Sequence, residues 1–264
     1  MTELCELSAL TLRRMIGARE ISPVELLASC RQRIEQVNPR LNAFVTFCWE
    51  RAEQEAREAE RKVMAGEPLA PLHGLPIGIK ETMVSGGVRT TFGSPIYADN
   101  VPPEDERIVA AVRKAGAIAV GKTNVPEFGA GANSKNTGGS LRTPAAYCGV
   151  VGMRPSPGLV PMSRRGVGYT SISVQGPMGR NVADTAFMLS TIAGPDPVDP
   201  LSRPVDAAAF ASLPEVDLSG LRVAVSADLG FAPVDDSIRR TFAAAIADIG
   251  GCFASVEEKA PPRR

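Results

Sequence analysis

With 264 residues, 44% of them apolar and 22% charged, the chain has enough apolar mass for one large α/β domain or two modest ones. Twenty-nine Lys and Arg balance 29 Asp and Glu, so no global field favours a nucleic acid or an anionic membrane surface. The longest stretch without a charged residue, Gly166 to Gly179, is rich in Gly, Ser and Thr and falls short of the roughly 20 mostly apolar residues a bilayer span needs. The acidic start, Met1 to Glu6, lacks the basic-then-apolar order of a secretion signal. Cys5, Cys30, Cys48, Cys148 and Cys252 are scattered and odd in number, and no Cys-x-x-Cys pair occurs. These features lead us to expect a cytoplasmic chain with reduced thiols. A single histidine, His73, excludes any mechanism needing two imidazoles and most zinc sites, so no metal and no cofactor are expected.

In chain order, the first elements are helical. Ser22-Pro23-Val24-Glu25 is a capping box with Pro at the first helical position, and Leu26, Leu27, Cys30, Ile34 and Val37 continue one apolar face until Asn38-Pro39. Ala43 to Phe47 reads as a strand, and Trp49 to Ala65 as a solvated helix with Gly66 as its C-cap. From Pro68 the texture changes. Pro76 to Lys80 is a short strand ending in a charge, and Ser85 to Ser94 is crowded with Gly, Thr and Ser. Arg107 to Ala115 is a helix with acids ahead of it and bases at its end, followed by a strand over Ala117 to Val120. Gly129 to Arg142 is a loop, Thr143-Pro144 opens a short helix through Cys148, and Asn181 caps a helix from Val182 to Ala193. Gly194 to Pro204, with four prolines, is the expected linker. Beyond it, a strand at Leu221 to Ser226, a helix at Asp236 to Ile249 and a strand at Cys252 to Val256 form a parallel β-α-β unit. That helix is expected to bury Ile238, Phe242, Ala245, Ile246 and Ile249.

Gly116-Ala117-Ile118-Ala119-Val120-Gly121-Lys122-Thr123 spells a phosphate-binding loop. Such a loop needs a flexible middle and a helix opening at Lys-Thr. Here the middle is strand-forming, and Asn124-Val125-Pro126 cannot begin a helix, so a buried strand is expected instead. Gly138-Gly139-Ser140 is of more interest, because two glycines let backbone N–H groups converge beside a serine, as an oxyanion hole requires. The same tripeptide also fills ordinary turns. Lys80 ends an apolar strand, where burial would depress its pKa until the neutral amine could deprotonate a serine; a lysine snorkelling at a strand end is the plainer alternative.

Taken in order, Gly74 to Glu81, Thr90 to Ser94, Gly116 to Asn124 with Glu127-Phe128, Gly138 to Gly152, Met153 to Ser156 and Gly176 to Arg180 resemble the amidase signature family over nearly the whole chain. The resemblance implies an α/β fold with a mixed, largely parallel sheet flanked by helices, here incomplete. Its expected parts are N-terminal helices over residues 1–67, a catalytic core segment over 68–194, the linker 194–204 and the β-α-β segment 205–264. It also implies hydrolysis of carboxylic amides through a Ser–cis-Ser–Lys triad. Lys80 matches the base, Ser140 the acylated nucleophile, and Thr137, Gly138 and Gly139 the backbone donors of the oxyanion hole. The family does not use a histidine, and His73 is then a loop residue. A small-molecule amide is the expected partner, with no nucleic acid and no membrane, and homo-oligomers are compatible with the pattern.

Two departures stand out. The family's Gly-Gly-Ser-Ser-Gly-Gly stretch, which carries the bridging cis-serine, has no counterpart between Asn133 and Thr137, and Asn136 stands where an Asp is common. The family pattern also continues beyond Arg264. An amidase-type domain lacking an internal block and a C-terminal part is therefore expected, with Ser134 the nearest stand-in for the bridging serine. Exposed apolar faces left by those parts would favour self-association. Two other functional readings stay open: an inactive amidase-like binding protein, and an amidotransferase A-type subunit.

Overall fold

A computed structural model describes residues 3–129, 139–163 and 168–262. The chain forms two compact units, Met1–Leu213 and Pro214–Arg264.

The first unit begins with helix α1 (Ala9–Gly17), whose Ser8 hydroxyl accepts the Thr11 N–H at 3.1 Å. Helix α2 (Pro23–Leu41) opens on the expected capping box: Ser22 Oγ accepts the Val24 N–H at 2.9 Å, and Glu25 accepts the Ser22 N–H at 2.8 Å. The helix runs past its expected stop at Asn38-Pro39, as far as Leu41. Pro39 falls in the last turn, where its missing N–H costs one bond and leaves the earlier ladder whole. Asn42, in the left-handed region at φ 48°, then closes the helix by donating to the Asn38 carbonyl. The Asn38 side chain brackets Phe44, accepting its N–H at 2.8 Å and donating to its carbonyl at 3.1 Å, and so turns the chain into strand β1 (Phe44–Phe47).

Helix α3 (Trp49–Ala65) ends on Gly66 at φ 72°, as its sequence predicts. Ala52, Ala56, Ala59 and Val63, spaced four, three and four apart, are its buried stripe. Strands β2 (Pro76–Lys80) and β3 (Ile118–Thr123) complete a three-stranded sheet in the order β1-β3-β2, with β1 antiparallel and β2 parallel to the centre. The phosphate-loop look-alike is indeed strand, and it extends to Thr123, beyond the expected Val120. Gly121 is required there because a Cβ would collide with the Thr46 carbonyl of β1.

Strand β3 is covered on both faces, and alternation sorts its side chains. Ile118 and Val120 pack with Leu27, Ala52 and Ala56 of α2 and α3. Ala119 joins the larger core with Ile16, Ile79, Leu189 and Ile192, to which Ile108, Val109 and Val112 of helix α4 (Arg107–Lys114) also belong. The last turns of the unit are helix α5 (Arg142–Cys148), a short antiparallel pair β4 (Val151–Gly152) and β5 (Met178–Gly179), and helix α6 (Val182–Ile192), capped by Asn181 as expected. Helix α5 is capped at Leu141, two residues ahead of the expected cap at Thr143, because the Thr143 N–H is already bonded to the Gly139 carbonyl at 2.8 Å. The stretch 194–204, expected as the linker, is bonded within this unit: Arg107 pairs with Asp196 at 2.7 Å and Asp199 accepts the Met162 N–H at 2.9 Å.

In the second unit, β6 (Arg222–Val225) and β7 (Ser255–Glu258) pair in parallel around helix α7 (Asp236–Gly250). The strand expected at Cys252 to Val256 forms later, over Ser255–Glu258. The helix does not bury the apolar face that its spacing predicts. Ile238 is 58% and Ile249 48% exposed, Ala245 is exposed, and Phe242 and Ile246 are half-buried. Two strands present too narrow a surface to cover a helix of this length.

Candidate active site

Lys80 is the last residue of β2, in register with Thr123 of β3, and the ladder continues as the Glu81 N–H donates to the Thr123 carbonyl at 3.0 Å. The lysine is half-buried, and burial lowers its pKa below the ordinary lysine value. Among the described residues its ammonium has no hydrogen-bond or ion-pair partner. A strand end that holds an amine in a partly dry setting, with no carboxylate paired to it among the described residues, is suited to a base.

The turn that follows is tightly held. Glu81, 1% exposed, accepts both the N–H and the hydroxyl of Thr91, the latter at 2.8 Å, while its Oε2 is buried with no hydrogen-bond partner among the described residues. Lys122 of β3 is also 1% exposed. Its Nζ donates to the Met83 carbonyl, to Ser85 Oγ at 3.0 Å and to Thr90 Oγ1 at 3.3 Å. Desolvation brings its pKa down to about 8, against the opposing pull of Glu81 and Glu106. Sequence reasoning alone gives Lys122 no role. The available signal is a lysine at the end of a run that is otherwise buried strand.

Ser140 lies on the N-terminal side of α5 and is exposed. Gly139 before it sits at φ 105°, a conformation that favours glycine, and a Cβ there would come within 2.8 Å of Thr143 Oγ1. Ser140 lines a shallow pocket of about 110 Å³ with Gly139, Leu141, Arg142, Arg154, Ile172, Ser173 and Val174. Lys80 is not among the lining residues, so the pocket does not bring the two catalytic candidates together. Of the remaining site residues, Gly139 is described, while Thr137, Gly138, Asn136 and Ser134 lie outside the described residues. His73 is buried in the turn before β2, with Nε2 at 3.0 Å from the Ala59 carbonyl. Among the described residues no group of three or more His, Cys, Asp or Glu could hold a metal ion, and no helix is long and apolar enough to cross a membrane.

A half-buried amine at a strand end and an exposed serine after a glycine at positive φ follow in this order along a mixed α/β chain. The amidase family model matches residues 25–137 and 135–264, and the chain belongs to the amidase signature family. The A-type subunit of the glutamyl-tRNA(Gln) amidotransferase from Carboxydothermus hydrogenoformans is 34% identical, over 98% of this chain and 62% of its own. An acylamidase of Rhodococcus erythropolis is 33% identical, over 97% of this chain and 62% of its own. The structure of a peptide amidase from Stenotrophomonas maltophilia superposes with a TM-score of 0.77 at 27% identity, covering 97% of this chain and 62% of that one. The chain thus spans 62% of the length of these relatives. The alignment to the amidotransferase protein runs over 301 positions, more than the 264 residues here, so that relative carries residues without a counterpart in this chain. The two family-model segments meet at residues 135–137, beside the expected gap.

Proposed function

We propose that the chain carries the amide-hydrolase chemistry of its family, with Ser140 as nucleophile, Lys80 as base and the N–H groups of Thr137, Gly138 and Gly139 as oxyanion donors. The observation that carries this is the Lys80 amine: half-buried, unpaired among the described residues and lowered in pKa by its burial. In the neutral form it takes the Ser140 proton through a bridging hydroxyl, and Oγ adds to the amide carbon. The oxyanion draws on the backbone donors, and the C–N bond breaks as the ammonium returns its proton to the leaving amine. Water, deprotonated by the same amine, then cleaves the acyl-serine ester to the carboxylic acid and free serine.

Each proton hop needs about 2.6–3.2 Å between heavy atoms, and the chain lacks the family's bridging serine block. Hydrolysis of an anilide by this chain should therefore fall orders of magnitude below a complete relative, with slow phosphonate labelling at Ser140. Inserting the Gly-Gly-Ser-Ser-Gly-Gly block ahead of Thr137 should raise both rates about 10³-fold or more, the scale of a lost triad member. Lys80→Ala in the restored protein should remove most of that gain. Fast turnover by the chain as it stands, abolished by Ser140→Ala, would overturn the bridged triad in favour of a direct Ser140–Lys80 dyad.

A second reading, an amidase-like protein that binds without turnover, is favoured by one observation: the pocket at Ser140 is not lined by Lys80. No labelling of Ser140 even after restoration would support it. The kinship with an amidotransferase protein raises a complex acting on charged tRNA as a third. The balanced 29 and 29 charges give no basic surplus toward such a partner. Cytoplasmic residence and self-association remain part of the same proposal.

A further inference from the structure

Lys122 is buried deeper than the expected base, yet the chemistry above does not use it. It is in register with Ile79, and strand alternation places its side chain on the opposite face of the sheet from that of Lys80. From there it reaches into the turn after β2. Its three acceptors, the Met83 carbonyl and the hydroxyls of Ser85 and Thr90, all belong to the segment that directly follows Lys80. Glu81 closes the same segment by holding Thr91. Further ties anchor it to the approach to α4: the Val84 N–H donates to Glu106 and the Gly86 N–H to Asp105.

We propose that Lys122 is a positioning residue for Lys80: its ammonium gathers the turn from Met83 to Thr90 around one buried point and so fixes how deeply the Lys80 amine is held. This rests on the reading of Lys80 as the base, and it adds a residue that acts through Lys80 without touching substrate. The geometry has few alternatives to serve. A fully buried lysine at a strand end needs three acceptors, and all three come from one turn. The groups whose charge bears on Nζ are the carboxylates of Glu81 and Glu106, the Cys48 thiol and the Arg113 guanidinium, so its charged form has three groups in support and one cation opposed.

The test reads Lys80 directly. Brief reductive methylation of the full-length protein across pH 6.5–10.5, resolved by lysine in a mass spectrometer, gives the pH at which Lys80 half-reacts, with exposed Lys114 as internal reference. In the unaltered protein Lys80 should half-react below Lys114. In Lys122→Met its midpoint should move at least halfway back to that of Lys114, because a loosened turn lets water reach the amine. Ser85→Ala and Thr90→Val, which remove single acceptors at little cost in volume, should each move it part of the way, and they carry the test if Lys122→Met does not fold. An unchanged Lys80 midpoint in folded Lys122→Met, or in both single-acceptor variants, would overturn the proposal. Failure of the hydrolase reading is distinguishable: Ser140 would then stay unlabelled in the restored protein, while the Lys80 profile still responds to Lys122.

Discussion

The two halves of the candidate site are built to different standards. Around Lys80, the described neighbours are well held: Ile79 is in the core, Glu81 and Lys122 are buried, and the turn to Ser94 is closed by named bonds. Around Ser140, burial among the described residues is sparse. Arg142 and Cys148 are exposed, Tyr147 is 89% exposed, and only Ala145 of α5 is buried. The difference follows from which contacts each half needs. The Lys80 side is completed by strands and helices that this chain supplies, whereas the serine side adjoins the place where the two family-model segments meet. A half-site whose scaffold is all in the chain is packed, and one that borders that junction is not.

The largest expected effect tests the Lys80 side as true core. Ile79 is 5% exposed and packs in the main cluster beside Lys80. Ile79→Ala should cost about 2–4 kcal/mol in urea denaturation at pH 7, by lost burial and the cavity left behind. A change below about 1 kcal/mol would show that β2 is as loosely held as α5, and the contrast would collapse.

A smaller effect sharpens the same side through pH. The Lys122 amine is held at about 8 in the fold and near 10.5 when exposed to water. Between those values the unfolded chain binds a proton that the folded chain has released, so this group makes stability rise with pH across that window. The gain should approach the order of 2 kcal/mol by pH 10 and be absent in Lys122→Met. Cys30 acts in the opposite sense, because burial pushes its thiol up to about 11 and the folded chain keeps a proton that the unfolded chain loses above pH 9. That contribution is common to both proteins and cancels in the difference between their pH curves. Parallel curves for the two proteins would mean that the buried amine carries no such linkage.

How much of this is legible in the sequence depends on how local each signal is. The Ser22 box, the Gly66 cap and the strand ending at Lys80 are set by a few adjacent residues, and they form as read. The look-alike phosphate loop is rejected on an equally local ground, the strand-forming Ala-Ile-Ala-Val, and is strand. The misread face of α7 shows the limit. Spacing says which residues share a stripe, but whether the stripe is buried depends on what packs over it, and two strands do not suffice. Lys122 escapes sequence reasoning for a related cause: its acceptors lie 32 to 39 residues away, on a turn that no periodicity assigns to it. Lys80 and Ser140 are found by motif, and their separate surroundings become visible only in three dimensions.

The smallest effect concerns Tyr147, and its value lies in being conditional. Helix α5 has seven residues, too few to persist on propensity alone, and its tyrosine contributes almost no buried area. Tyr147→Ala should therefore shift the denaturation free energy by less than about 0.5 kcal/mol in this chain. In the protein restored with the serine-bearing block, the same substitution should cost about 1–3 kcal/mol if that block packs over α5, because a covered aromatic ring brings a large apolar area out of water. A double-mutant comparison, insertion with and without Tyr147, isolates that coupling from any general gain in stability. Coupling near zero would mean that the insertion restores the bridging hydroxyl without rebuilding the cover, and any recovered turnover would then depend on the Lys80 side alone for its rigidity.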